Sequence, residues 1–455
     1  MNPIRHPLLL LAAVLAVLFA APTSAHADEI TYMDPETCAE TTVRVEEITS
    51  ETWTVVEYRE KAKGPLMSVP TSLLVKIKRD TAGGAQVREL QNAIGELRRG
   101  NLAEARRALK VLSGGGFKQN LESGKLEYQS FSQNDPPSKR KRPPWSSEYA
   151  HFFYAKALFE EGLQRSDDEL LQHAYLALVD QADPGGRKDE KGKPLMTGGY
   201  LTRFAGGNSR WFADATILAA RTLVAQGKYD EAAKLFKQLG DQAIANDIGP
   251  QWAYEAKLGP GRIAEAQGKY VQAINAYKDT ASFMRLLLPR ETRGCFRRLI
   301  GRLHSRARMQ AAGIMLQRAE KNRSPAEFAE LRDFINESTP EALERKYRTL
   351  PSAQRKALVE GALDPQVQAV MQNGLGLAYL QEEKFEEAIL AFRAVEVKYF
   401  QVPEEHARAL HYLAQAADKA ANKASGEEAR TLYQKYRDDA RGRLKAKYPN
   451  SRWAK

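Results

Sequence analysis

The chain has 455 residues, 43% of them hydrophobic and 27% charged, with 31 Gly and 21 Pro, which excludes collagen-like, low-complexity and membrane-bundle classes. Its length accommodates about three ordinary domains or one long repeat array, so core size sets no limit. Lys and Arg outnumber Asp and Glu by 68 to 57; the excess is diffuse and suits anionic envelope polymers, lipid head groups or acidic proteins without selecting among them.

At the N-terminus, Arg5 and His6 precede an unbroken apolar run from Leu8 to Ala21, and Ala25-His26-Ala27 supplies a small-x-small cleavage site. This is the pattern of a secretory signal peptide over 1–27, cut after Ala27. The run falls short of the roughly 18 residues that a spanning helix needs. No cysteine directly follows the cut, so lipid anchoring is not indicated. The expectation is an exported protein, periplasmic or secreted, and that address argues against a nucleic-acid partner. The two cysteines, Cys38 and Cys295, fit no metal motif; an oxidising compartment would let them pair, but so distant a couple need not meet.

Residues 28–80 read as a small β module. Thr42–Ile48, Thr52–Tyr58 and Leu73–Lys78 are rich in β-branched and aromatic residues and partly alternate, with a turn signal at Lys63-Gly64-Pro65. With its Val69-Pro70 step before the last strand, the segment resembles small SH3-like or Sm-like bacterial modules. After Gly83-Gly84 the β signal disappears, and residues 81–455 carry apolar positions at helical spacing among Ala, Leu, Glu, Lys, Arg and Gln. Two interruptions predict exposed loops: 135–145, with Pro136-Pro137, Lys139 to Arg142 and Pro143-Pro144, and the Gly- and charge-rich 183–199.

Within this helical body, Ala-Gln-Gly-Lys-Tyr occurs at Ala225–Tyr229 and again at Ala266–Tyr270, and Asn-Ser-Arg-Trp at Asn208–Trp211 and at Asn450–Trp453. Recurrence of this kind predicts helix-pair repeats of about 34 to 45 residues. The clearest unit, 370–395, has Gly376 and Tyr379 on one face of a first helix and Ala388 and Phe392 on one face of a second. This pattern resembles the tetratricopeptide repeat. A second unit carries Ala220, Tyr229, Ala232 and Phe236, and a third Gly261, Tyr270, Ala273 and Tyr277, together spanning about 212–280. The aromatic expected late in the first helix is replaced there by Leu223 and Ala264. Gly100-Asn101-Leu102 with Ala105 and Leu109 reads as a degenerate first unit. The closing Tyr448-Pro449-Asn450-Ser451 is similar to repeat ends in exported bacterial members of this family. The resemblance implies a mainly α fold, a solenoid of helix pairs whose concave groove holds a protein or peptide.

Segment 285–323 is strongly basic, with acidic residues only at Glu291 and Glu320. Arg298, Arg302 and Arg306 recur at four-residue intervals and are candidates for contacts with carboxylate or phosphate; the alternative is a solvated face with Phe296, Leu299, Ile300 and Leu303 turned inward. No catalytic, cofactor-binding or metal-binding residues are assigned. His151, His173, His304, His406 and His411 stand at no metal-ligand spacing and read as surface or half-buried helical residues. Gly259-Pro260-Gly261 imitates a dinucleotide fingerprint without a preceding strand. Gly114-Gly115-Gly116 reads as a helix stop. Glu337-Ser338 imitates the catalytic Glu-Ser pair of lytic cell-wall enzymes, but lies in a polar run that reads as a helix stop and the cap of the next helix. The sequence therefore predicts a non-enzymatic exported scaffold for a protein or peptide partner. A binder of anionic polymer or lipid head groups through 285–323 is the alternative, and a peptidoglycan-lytic enzyme ranks behind both.

Overall fold

The computed structural model describes residues 28–61, 63–79, 85–113, 116–119, 126–129, 145–179, 199–203, 209–245 and 249–454. The signal segment 1–27, the basic run 139–142 and nearly all of the two expected loops lie outside the described residues. The fold is mainly α, and the chain divides into two compact units, 1–34 with 39–212, and 35–38 with 213–455.

The first unit opens with six short strands: β1 (Asp28–Met33), β2 (Glu40–Val45), β3 (Glu47–Glu51), β4 (Val55–Arg59), β5 (Met67–Pro70) and β6 (Leu74–Lys78). They form two antiparallel sheets, in the orders β2-β1-β6 and β3-β4-β5. The run Thr42–Ile48 is thus two strands broken at Glu46, one in each sheet. The central strand β1 has no counterpart among the sequence-based strands, because its buried residues, Ile30 and Thr31, are adjacent and do not alternate. Ile30, Val45, Val56, Tyr58 and Val69 form the buried core.

The same unit continues with helices α1 (Ala85–Arg99), α2 (Leu102–Leu112), α3 (Trp145–Arg165), α4 (Asp168–Leu178) and α5 (Tyr200–Arg203). Between α2 and α3 a hairpin, β7 (Gly116–Gln119) and β8 (Leu126–Gln129), pairs Phe117 with Tyr128. This hairpin departs from the expected all-helical body, since four-residue strands are too short to register a two-residue period. Arg79 ties β1 to β3 through Asp28 and Glu51, and Tyr149 of α3 donates to Glu51 at 2.7 Å.

The second unit contains α6 (Phe212–Ala225, from Ala213 onward), α7 (Tyr229–Ala245), α8 (Pro250–Ala266), α9 (Tyr270–Leu287), α10 (Gly294–Asn322), α11 (Pro325–Asn336), α12 (Pro340–Lys346), α13 (Ser352–Ala362), α14 (Pro365–Gln381), α15 (Phe385–Lys398), α16 (Pro403–Lys423) and α17 (Glu427–Lys447). A single apolar cluster runs from Tyr254 to Leu444. Helix starts carry their own caps: Ser324, Thr339 and Asp364 accept from backbone N–H groups of the first turn, each with proline at the first helical position.

One turn recurs across both units. Gly100, Ser166, Gly227, Gly268, Arg323 and Glu383 all adopt positive φ, from 49° to 83°. In each case the next residue's N–H returns to the carbonyl five residues earlier: Asn101 to Glu96, Asp167 to Gly162, Lys228 to Leu223, Lys269 to Ala264, Ser324 to Ala319 and Lys384 to Tyr379. This left-handed cap satisfies a carbonyl that the helix end would otherwise orphan, and reverses the chain into the next helix.

Cys38 and Cys295 form a disulfide, with Cα atoms 5.0 Å apart. Segment 35–38, which lies between β1 and β2, belongs to the second unit. There the Cys295 N–H donates to the Pro35 carbonyl at 2.9 Å. A Cβ at Gly294 would strike the Glu36 carbonyl, so glycine is what this approach requires.

Candidate functional site

The helix pairs are joined by glycine–aromatic seams. A Cβ on Gly376 of α14 would sit 2.6 Å from a Phe392 ring carbon, and one on Gly261 of α8 would clash with the edge of the Tyr277 ring. Ala220, Ala232, Ala273 and Ala388 are buried with Phe236, Tyr277 and Phe392, while Tyr229, Tyr270 and Tyr379 are half-buried at the edges. Burying each large ring stabilises by roughly 1.5 to 3 kcal/mol, and the missing Cβ lets the backbone approach close enough for the ring to fill the gap. The Gly259-Pro260-Gly261 string has the same explanation. Gly259 makes room for Phe236 of α7 and Gly261 for Tyr277 of α9, so one helix receives a ring from each neighbour.

The two Ser-Arg-Trp copies build the same latch, one in each unit. Ser209 and Ser451 each accept from the N–H of the following Trp at 3.3 Å. In both, the arginine guanidinium lies 4.6 Å above the tryptophan ring. Each latch also grips a glutamate near the start of an earlier helix. Glu148 accepts from Tyr200, Ser209 and the Arg210 N–H, and Glu404 from Arg452 and Trp453. The Trp211 ring then stacks on Phe152, and Trp453 packs on His411 and Tyr412.

In the basic segment, α10 crosses α13 with backbones in contact. Gly301 faces the Ala357 carbonyl and Gly361 faces the Gly301 carbonyl, with no space for a Cβ at either. Ion pairs flank the crossing: Arg298 to Glu360 at 3.4 Å and Arg306 to Asp364 at 3.2 Å. Two of the three arginines singled out by spacing are therefore engaged within the chain. Arg302 stays exposed with no ion pair among the described residues. Such partners were illegible in the sequence, because Glu360 and Asp364 lie more than fifty residues away.

A different cationic group forms where α9, α10, α11 and α12 meet. The Arg308 guanidinium lies 4.4 Å from the Phe334 ring centroid and donates to Ser338 Oγ at 2.9 and 2.8 Å. Lys278 sits 5.0 Å from the same ring, and Arg285 5.8 Å from Tyr347. His304 packs edge-on to Tyr347, and its buried Nδ1 has no partner. Burial, then the positive charges of Arg308, Arg285 and Lys346, push the His304 imidazole down to about 3. Burial likewise pulls Arg308 below its ordinary value, against the opposing influence of Tyr347 and Glu337. The missed members, Lys278, His304 and Lys346, come from separate elements and share no spacing.

The histidines correct the surface reading. His151, His304 and His406 are buried, at 0, 2 and 2% exposure. His151 Nε2 meets the Ala177 carbonyl at 2.9 Å, and His406 Nδ1 the Tyr448 hydroxyl at 2.7 Å. Glu337 caps the end of α11, is 63% exposed and lies 3.5 Å from Lys346. Its carboxylate is in solvent, without the desolvated cleft that a general acid needs. Among the described residues, no His/Cys/Asp/Glu group could hold a metal, and no helix is long and apolar enough to cross a membrane. No family model and no curated protein sequence matches the chain.

Proposed function

We propose that the protein is an exported, non-enzymatic scaffold whose tetratricopeptide-like helix pairs hold a protein or peptide partner in the cell envelope. The observation that carries this reading is the recurrent left-handed turn combined with glycine–aromatic seams. Together they make a stack of near-equivalent helix pairs that presents surface without using its buried groups for chemistry. Two further features support it. The Cys38–Cys295 disulfide suits an oxidising compartment, and the buried histidines of α3 and α16 are engaged in packing contacts.

The test is to immobilise the mature chain, expose it to an envelope extract of its own host, and cross-link what binds. A discrete protein whose cross-links map to the helix pairs between 212 and 398 is expected. Recovery of polymer or lipid alone, or cross-links confined to other segments, would overturn the reading. The second reading, contact with an anionic polymer or lipid surface through 285–323, draws on the exposed, unpaired Arg302. It predicts retention on an anionic matrix that is lost when Arg302 is replaced.

A further inference from the structure

The geometry points to the face carrying Lys278, Arg285, Arg308 and Lys346 as the seat of an acidic peptide segment in the polyproline II conformation, with carboxylates about three residues apart. This inference rests on the scaffold reading and gives its partner a chemistry.

The first observation is uncompensated charge. Other arginines in this unit of similar or deeper burial have carboxylates: Arg318 pairs with Glu327 at 3.3 Å, and Arg408 with Glu320 at 3.6 Å. Arg308 has only the neutral Ser338 hydroxyl as acceptor, and that hydroxyl is itself committed to the Phe334 carbonyl at 2.6 Å. Arg285 and Lys278 have no ion pair among the described residues and rest on aromatic faces. The nearby carboxylate of Glu337 is exposed and held by Lys346. A half-buried guanidinium without an anion pays a desolvation cost that a bound oxyanion would relieve, and its planar fork suits carboxylate. The second observation is the neutral, buried His304, whose unpartnered Nδ1 lies among these cations.

Spacing bears on the kind of anion. Lys278 and Arg285 lie seven residues apart on α9, about 10 Å along the axis, and rest on different rings, Phe334 and Tyr347. In the polyproline II conformation three residues rise about 9 Å and return the side chain to the same face, so acidic side chains at every third position match the two positions, with Arg308 nearby on α10. Charge complementarity thus matches an acidic segment in the polyproline II conformation to this face.

The test measures fluorescence anisotropy of a labelled peptide with glutamate at roughly every third position, titrated with the full mature chain. A glutamine version of the peptide and phosphatidylglycerol vesicles serve as comparison probes. The expected result is binding at least about tenfold tighter for glutamate than for glutamine. Binding should fall by a similar factor in Lys278→Ala/Arg285→Ala, whose replaced side chains lie at the rim and whose melting temperature is checked first. Arg298→Ala/Arg302→Ala should leave it unchanged. Equal binding of the two peptides, equal loss in both double variants, or capture of vesicles without the peptide would overturn the inference. If cross-linking recovers a protein partner that the Lys278→Ala/Arg285→Ala chain holds equally well, the scaffold stands and this site does not. If no protein partner is recovered, the scaffold reading itself fails.

Discussion

Gly376→Ala isolates the seam on which the repeat packing depends. The new Cβ would lie 2.6 to 2.9 Å from three carbons of the Phe392 ring, closer than the 3.0 Å below which real Cβ contacts essentially never occur. Phe392 is fully buried between neighbouring helices, with Tyr412 stacked 5.9 Å away, so the ring cannot swing aside without displacing its neighbours. Overpacking of this kind costs about 1 to 3 kcal/mol. Replacing a helical glycine by alanine returns about 1 kcal/mol of backbone entropy, leaving a net loss of roughly 0 to 2 kcal/mol. The reference is Gly442→Ala in α17, where a Cβ meets nothing within 4 Å and the entropic gain of about 1 kcal/mol stands alone. Urea unfolding of the two variants should therefore separate them by about 1 to 3 kcal/mol, with the wild type between or beside Gly376→Ala. Adding Phe392→Leu to Gly376→Ala should recover part of the overpacking term as a coupling energy. If Gly376→Ala and Gly442→Ala were equally stabilised, the seam would not be the close contact described, and the packing argument would fail.

Gly301→Ala should be more damaging than Gly376→Ala, because its Cβ meets the Ala357 backbone carbonyl rather than a side chain; a melting temperature unchanged from wild type would contradict the backbone crossing of α10 and α13. For His304, held near 3 when folded against an ordinary value of 6.5, the unfolded state binds the extra proton between those values. Stability is thus fully present above about pH 6.5 and is lost as pH falls towards 3, by up to about 1.4 kcal/mol per unit. Denaturation series from pH 7 to 4 should show His304→Leu with a shallower decline than wild type, and NMR should show no titration of this ring above pH 5. Reducing the Cys38–Cys295 bond, which closes a separation of 257 residues, should lower stability by about 2 to 5 kcal/mol; the native chain should also contain no titratable thiol, and finding two would remove the bond.

Much of the helical architecture was legible because it is local. The repeated Ala-Gln-Gly-Lys-Tyr string places glycine at Gly227 and Gly268, where positive φ is required, and the Ala and aromatic spacings of 370–395 place Gly376 opposite Phe392. The same turn at Glu383, Ser166 and Arg323 left no such trace. There the local backbone bond, from the next residue's N–H to the carbonyl five residues earlier, holds an exposed ordinary residue in a left-handed conformation that glycine would adopt freely. The four-residue strands β7 and β8 escaped because their periodicity ends before it can be recognised, and β1 because it does not alternate.

By itself, the sequence determined the mainly α class, the β module ahead of it, the helix boundaries marked by caps and glycines, and which rings and small residues recur at repeat spacing. These follow from 3.6-residue and two-residue periods and from turn chemistry, which act over a few neighbours. Only the tertiary structure decided that Cys38 meets Cys295 and that Arg298 and Arg306 are satisfied by Glu360 and Asp364. It likewise decided that Lys278, Arg285 and Arg308 gather beside His304 with no ion pair among the described residues. Desolvation and charge pairing depend on which distant side chains arrive at the same place, and no local pattern encodes that.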